Sequence, residues 1–163
     1  MLSQRAATGA DLDALWDLRT RAVRISCATH YPPAVIAAWS AAPPPPSLAQ
    51  LTLAGSVVLM RRGERLAGFG ALDLETGEVD ALFVDPDCQG GGIGRALLDA
   101  LEAMARDGGL ARLFLSASLN GTPFYRRAGF TALREQWHEH HSGIVIRCVL
   151  MEKDLMIRIK PVI

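Results

Sequence analysis

The stretch that decides the reading is Val84-Asp85-Pro86-Asp87-Cys88-Gln89-Gly90-Gly91-Gly92-Ile93-Gly94-Arg95-Ala96-Leu97-Leu98. A short apolar run ends at a proline turn, a glycine cluster follows, and a long helical pattern begins. Glycines between a strand and a helix let the backbone run close to a bound anion. The first free N–H groups of the helix then point at that anion, with the positive end of the helix dipole behind them. The segment reads as a phosphate cradle. The plainer alternative is a glycine-rich turn that only starts a helix.

Two familiar cradles are excluded by the residues themselves. A Walker A loop ends in Gly-Lys-Ser/Thr, whereas Gly94 is followed by Arg95-Ala96. A dinucleotide fingerprint needs a third Gly or Ala where Leu97 stands, and an acid about 20 residues further on. What remains is Gln-x-x-Gly-x-Gly at Gln89, Gly92 and Gly94, with a strand before it and an amphipathic helix after it. This resembles the pyrophosphate loop of the GNAT superfamily of N-acetyltransferases, which binds acetyl-coenzyme A. The resemblance implies that Gly90, Gly91, Gly92, Ile93, Gly94 and Arg95 hold the diphosphate. Arg95 would add a neutralising charge, and Gln89 would orient the loop. It also implies that backbone groups of Leu82, Phe83 and Val84 pair with the pantetheine amides like an added strand, which requires a local splay between neighbouring strands.

Ser116 through Phe130, containing Phe124-Tyr125-Arg126-Arg127-Ala128-Gly129-Phe130, is similar to the second signature of that superfamily. There the tyrosine hydroxyl sits near the coenzyme sulfur, which makes Tyr125 the candidate general acid. Amine attack on a thioester expels a thiolate, and a placed O–H donor stabilises it. The alternative for Tyr125 is a packing tyrosine on a helix. The family often has an asparagine seven residues before the tyrosine; here Ser118 stands there and Asn120 stands five before. Either side chain could contact the coenzyme, and either could simply cap the next helix.

Glu78 lies eleven residues before Gln89, where some members, the histone-acetylating type among them, place a base glutamate. Such a carboxylate would take a proton from the incoming ammonium, since an amine must be neutral to attack. Strand alternation puts Glu78 and Asp80 on one face, so Asp80 is a rival base. Both could equally be solvated carboxylates at a strand start, and many members of the superfamily work without a dedicated base.

Composition bounds the rest. The chain has 163 residues, half of them hydrophobic, and a formal net charge of zero, which suits one domain over 1–163. Neither disorder nor nucleic-acid binding is favoured, because the basic residues are scattered. Zero net charge also argues mildly against a highly cationic acceptor, unless a local acidic pocket overturns this. Cys27, Cys88 and Cys148 match no zinc or disulfide spacing, so reduced thiols in a cytoplasmic protein are expected, with Cys88 a small buried filler. The first residues show no apolar signal core, and no run of about 18 apolar residues suggests a membrane span. His138, His140 and His141 flank Glu139 without a further ligand, so no metal is expected. Tyr31 and Trp39 suit either an acceptor-pocket wall or core packing.

The element order is a strand at 3–7, a helix over 11–26 capped by Thr8 or Asp11, a second helix from Pro32-Pro33 through Trp39, and one more helical turn at 47–53. Strands at 55–62, 65–74 and 78–84 follow, then a helix over 92–107 closed by Gly108-Gly109. A strand at 112–117, a short helix to about 127 and strands near 130–137 and 143–153 complete it. This is α+β with a mixed sheet, and it matches the GNAT fold, a mostly antiparallel twisted sheet flanked by helices.

The resemblance implies an N-acetyltransferase using acetyl-coenzyme A, without metal, on a small-molecule amine or a protein amino group. The alternative is a non-catalytic acyl-coenzyme A-binding module. A homodimer is suggested by the family and by the apolar last strand. The alternating residues 155–163 suit an edge strand or a subunit contact.

Overall fold

The computed structural model describes residues 1–156. Among these the chain runs β1 (Leu2–Ala6), α1 (Leu12–Ser26), α2 (Pro33–Ala41), α3 (Pro46–Leu53), β2 (Val57–Arg62), β3 (Arg65–Leu72) and β4 (Val79–Val84). It continues with α4 (Ile93–Asp107), β5 (Arg112–Ser118), α5 (Thr122–Arg127), β6 (Thr131–Glu139) and β7 (Val145–Asp154). The expected elements are all present, with ends moved by a few residues.

Local chemistry sets the boundaries. Pro33 and Pro46 occupy first helical turns, where a missing N–H leaves nothing unpaired. At the end of α4, Gly109 N–H donates to Arg106 O at 3.0 Å and Leu110 N–H to Ala105 O at 2.9 Å, a Schellman closure. Before α1, the Thr8 N–H donates to Asp11 Oδ2 at 2.8 Å, so both expected capping residues act together. The start of α5 differs from expectation. Its cap is Gly121, and neither the Ser118 nor the Asn120 side chain caps it. The backbone turns one step later, because Ser118 still belongs to β5 and its carbonyl accepts from Gly121 N–H and Thr122 Oγ1.

The strands form two antiparallel groups, ordered β1-β2-β3-β4 and β5-β7-β6. They meet in parallel at a single bridge, Glu78 beside Phe114, where Phe114 N–H donates to Gly77 O at 3.1 Å. Gly77 has φ +84°, and a Cβ there would lie 2.7 Å from Arg112 O, so the joint admits only glycine without distortion. Past this bridge β4 and β5 share no further pairing among the described residues. The splay required for a strand-like ligand is therefore built into the sheet.

Both faces of the first group are covered. Ile93, Leu97, Leu98 and Leu101 of α4 pack with Val79, Leu113, Leu115 and Met151 on one face. Leu15 and Leu18 of α1 pack with Leu59, Phe69 and Ala71 on the other. A Cβ at Gly68 in β3 would stand 2.9 Å from Leu97 Cδ1 and 2.8 Å from Phe83 O. The glycine admits the helix: burying each leucine is worth about 2 kcal/mol, more than the roughly 0.5–1 kcal/mol a strand glycine costs.

Arg19 on α1 is buried, yet no carboxylate meets it among the described residues. Its guanidinium donates to Trp39 O at 2.9 Å and Ser40 O at 3.3 Å and lies 4.3 Å over the Trp16 ring. Trp16 Nε1 in turn donates to Ala42 O at 3.0 Å. The last carbonyls of α2, which a helix cannot satisfy itself, are thus capped by α1. Burial lowers the Arg19 pKa to about 10, which leaves it charged at neutral pH.

Tyr31 and Trp39 pack edge to face in a third apolar cluster with Val23, Cys27 and Ile146. The Tyr31 hydroxyl donates to Arg147 O at 2.6 Å and accepts from Leu119 N–H at 3.0 Å. Of the two expected roles, core packing is the observed one. The apolar β7 lies between β5 and β6, so its hydrophobicity serves this chain's own sheet and gives no free edge for a second subunit. Leu155 N–H still bonds Ala111 O at 2.8 Å. The rest of the anticipated terminal strand, residues 157–163, lies outside the described residues.

Candidate active site

The wedge between β4 and β5 opens into a cavity of about 490 Å³. Its walls gather most of the residues singled out from the sequence: Leu82, Phe83 and Val84 from β4; Gln89, Gly90 and Gly92 from the loop; Ile93, Gly94 and Arg95 from the first turn of α4; and Ser118, Asn120 and Tyr125. Gly91, Glu78 and Asp80 do not line it. The Arg62 side chain passes over Gly91, so close that a Cβ on this residue would collide with the guanidinium.

The loop has the geometry of an anion cradle. Gly90 and Gly92 have φ +80° and +77°. The first helical bond of α4 runs from Ala96 N–H to Gly92 O, which leaves the amides of Ile93, Gly94 and Arg95 outside the helical ladder. A Cβ at Gly94 would press on Phe124 at 3.3 Å, so the helix start and α5 close around this position. Arg95 Nε donates to Asp99 at 3.0 Å, so part of its charge is already engaged within α4.

A turn anchored by a buried carboxylate delivers the loop. Asp85, which is 1% exposed, closes β4 and caps the short turn Pro86–Cys88 by accepting from Asp87 N–H at 2.9 Å. Both oxygens of its carboxylate receive the Arg21 guanidinium at 3.1 Å, and Arg65 adds a contact at 3.1 Å. Burial alone would raise this carboxyl; Arg21, the Asp87 amide and Arg65 outweigh it and hold it below the usual carboxylate range.

Opposite the loop, Tyr125 meets Phe124 and Phe130 edge to face at 5.1 and 5.6 Å. Its apolar surroundings raise the phenol pKa, so the hydroxyl keeps its proton. Asn120 Oδ1 is buried with no hydrogen-bond partner among the described residues, an acceptor atom at the cavity wall left for an incoming N–H. Cys27 beside it is pushed up to about 11 by burial and stays a neutral thiol. Cys88 is a buried wall residue, as anticipated.

The carboxylates lie apart from this cavity. Glu78 sits at the bridge that closes the wedge. Asp80 occupies a bulge: Ala71 pairs with Ala81 while Leu72 pairs with Val79, leaving Asp80 unopposed. Strict alternation therefore fails here, and Val79 and Ala81 join cores on opposite faces of the sheet. Desolvation by the neighbouring protein raises the pKa of half-buried Glu78 and of surface-exposed Asp80, and like charge adds to it, from Asp80 and Asp73 on Glu78 and from Asp73 on Asp80. His138 and His141 act on Asp80 in the opposite direction. His141 Nε2 bonds Pro43 O at 2.6 Å and its ring meets Trp16. The histidine hairpin thus leans on the α1–α2 side of the sheet. No group of three metal-ligating side chains occurs among the described residues.

The sequence missed the third wall of the cavity. Ala22, Ser26 and Cys27, on the last turns of α1 and just beyond them, line it. An apolar stripe gives α1 a buried face but does not say what that face abuts. The two-arginine clamp on Asp85 was also hidden, since Arg21 and Arg65 lie 64 and 20 residues from it.

A family profile described as the acetyltransferase (GNAT) domain matches residues 27–155. The chain is 38% identical over 80 residues to an IAA acetyltransferase of Azospirillum brasilense, covering 45% of this chain and 52% of that protein. It is 32% identical over 84 residues to a glucosamine 6-phosphate N-acetyltransferase of Trypanosoma brucei brucei, covering 52% of this chain and 54% of that protein. It thus spans about half the length of these curated relatives. Among solved structures it resembles a GCN5-related N-acetyltransferase from Rhodopseudomonas palustris, with TM-score 0.79 and 22% identity over 93% of this chain and 94% of that one. It also resembles the PaiA N-acetyltransferase of Thermoplasma acidophilum in complex with coenzyme A, with TM-score 0.74 and 19% identity over 94% and 99%. At these identities the structures speak for the fold. Together with the profile match and the loop, cleft and strand order described above, they lead to one statement: the chain belongs to the GNAT acetyltransferase domain family.

Proposed function

We propose that this protein moves an acetyl group from acetyl-coenzyme A to a primary amine by direct attack in a ternary complex. The observation that carries the reading is the wedge between β4 and β5, with an anion-binding loop at one end and Tyr125 in its wall. The residues present suit the coenzyme: free loop amides for its diphosphate, an unpaired β4 edge and the orphaned Asn120 Oδ1 for its amide-bearing arm. When bound, acetyl-coenzyme A supplies the activated thioester.

The chain's own residues do the rest. Loop and α4 amides fix the diphosphate, with Arg62 and Arg95 adding positive charge nearby. The β4 backbone aligns the donor, which supplies proximity. Tyr125 donates its proton, or a hydrogen bond, to the departing sulfur. For the base we favour Asp80 over Glu78, acting through water because neither carboxylate lines the cavity: Asp80 bulges out of the ladder while Glu78 sits where the wedge is closed. The cluster Asp73, Glu78 and Asp80 gives this edge a local negative potential that favours a cationic amine despite zero net charge overall. The acceptor amine is carried by a small molecule or by a protein. Three unpaired cysteines favour a cytoplasmic location, and the family resemblance a homodimer of a single-domain chain over 1–163.

A screen for coenzyme A thiol release across amine classes tests the reading. Turnover with at least one amine is the expected result. Firm coenzyme binding without release from any amine would replace it with the binding-module alternative.

A further inference from the structure

We infer that Asp85 is a positioning residue for the diphosphate loop, locking three walls of the cleft in register. The inference rests on the coenzyme-binding reading above. Val84 and Cys88, which flank the Asp85 turn on either side, both line the cavity, as does Ala22, the residue after Arg21 on α1. Asp85 therefore joins β4, the loop and α1 through one carboxylate. Its side chain is 1% exposed, while those of its two partners are 44% and 51% exposed. Arg65 reaches past it to Asp87 at 2.8 Å and so holds the turn at a second point. On the backbone, Asp85 N–H donates to Ala67 O at 2.8 Å and its carbonyl accepts from Cys88 N–H at 2.8 Å.

A buried ion pair is a poor source of net stability compared with apolar packing; what it specifies is geometry. Here that geometry is the exit direction of the chain toward Gly90–Gly92. Removing the charge leaves Arg21 without a carboxylate among the described residues and Arg65 with Asp87 alone. The tie that holds α1 to β3 at the base of the loop is then lost. The loop amides lose their preset direction, and preorganisation of that kind is what sets affinity for a rigidly held anion.

The test compares wild type, Asp85→Asn and Arg65→Gln by calorimetric titration with coenzyme A, by thermal unfolding, and by steady-state kinetics. Asp85→Asn is expected to weaken coenzyme A about tenfold and raise KM for acetyl-coenzyme A in parallel. Its kcat at saturation and KM for the amine should stay within about twofold. Amides of Gly90 to Arg95 should exchange faster at temperatures where the variant is fully folded. Arg65→Gln, at a half-exposed position, should move the same readouts about threefold and carries the test if Asp85→Asn does not fold. Folded variants with lower Tm but unchanged coenzyme affinity and unchanged loop exchange would overturn the inference while leaving the acetyltransferase reading intact. A wild-type protein that ignores coenzyme A would overturn that reading, and the inference with it.

Discussion

Apolar rings around Tyr125 push its phenol further above the neutral range, so near neutral pH the hydroxyl carries a proton that it can donate. Tyr125→Phe is expected to lower kcat about 10²-fold while leaving coenzyme A affinity within about twofold, as parallel kinetics and titration would show. Asp80 works in the other direction, since its raised pKa keeps it protonated at pH values where an ordinary aspartate has ionised. The acidic limb of kcat/KM should therefore lie above the ordinary aspartate pKa of about 4, and Asp80→Asn should remove that limb from the profile. A limb that persists in Asp80→Asn and disappears in Glu78→Gln would reverse the assignment. Asp85 gives the opposite sign. Its folded pKa lies below the unfolded one, so its contribution to stability is present above about pH 4 and fades as pH falls through the folded value. The stability gap between wild type and Asp85→Asn should shrink on acidification, as chemical denaturation at pH 7 and pH 3 would measure. Arg19→Met should destabilise by about 1–3 kcal/mol in the same assay, because the Ser40 carbonyl loses its donor and Trp39 O keeps only the Ala42 N–H.

At the scale of elements, the molecule turns on how β4 and β5 part. Gly77 holds the one parallel contact between the two strand groups. Gly77→Ala combines a left-handed φ with a backbone collision, each worth about 1–3 kcal/mol, so a loss of at least about 2 kcal/mol in denaturant unfolding is expected. Most of these elements could be read directly. Proline starts, the Gly108-Gly109 stop and the period of α4 are local signals, and local signals survive in a linear sequence. Two features were not local. The Asp80 bulge depends on register against β3, which alternation within one strand cannot reveal. The late start of α5 depends on Ser118 remaining in β5, paired with Cys148 across the sheet. Side-chain capping by Ser118 or Asn120 was plausible chemistry, defeated by a tertiary pairing.

For the molecule as a whole, the glycine loop was legible because its function demands backbone approach, and backbone approach demands glycine. The α1 wall and the arginine clamp at Asp85 were not, since they arise when segments far apart in sequence close on one another. The same closure lines the cleft with residues from α1, α4 and α5 together. On this reading the wedge between β4 and β5 takes acetyl-coenzyme A along its whole length. Backbone amide NMR during titration with acetyl-coenzyme A tests it most directly. Saturable shifts concentrated at Leu82–Val84, Gly90–Arg95 and Asn120, at one ligand per chain, are the predicted result. An unchanged spectrum at millimolar ligand, or shifts confined to residues away from the wedge, would contradict it.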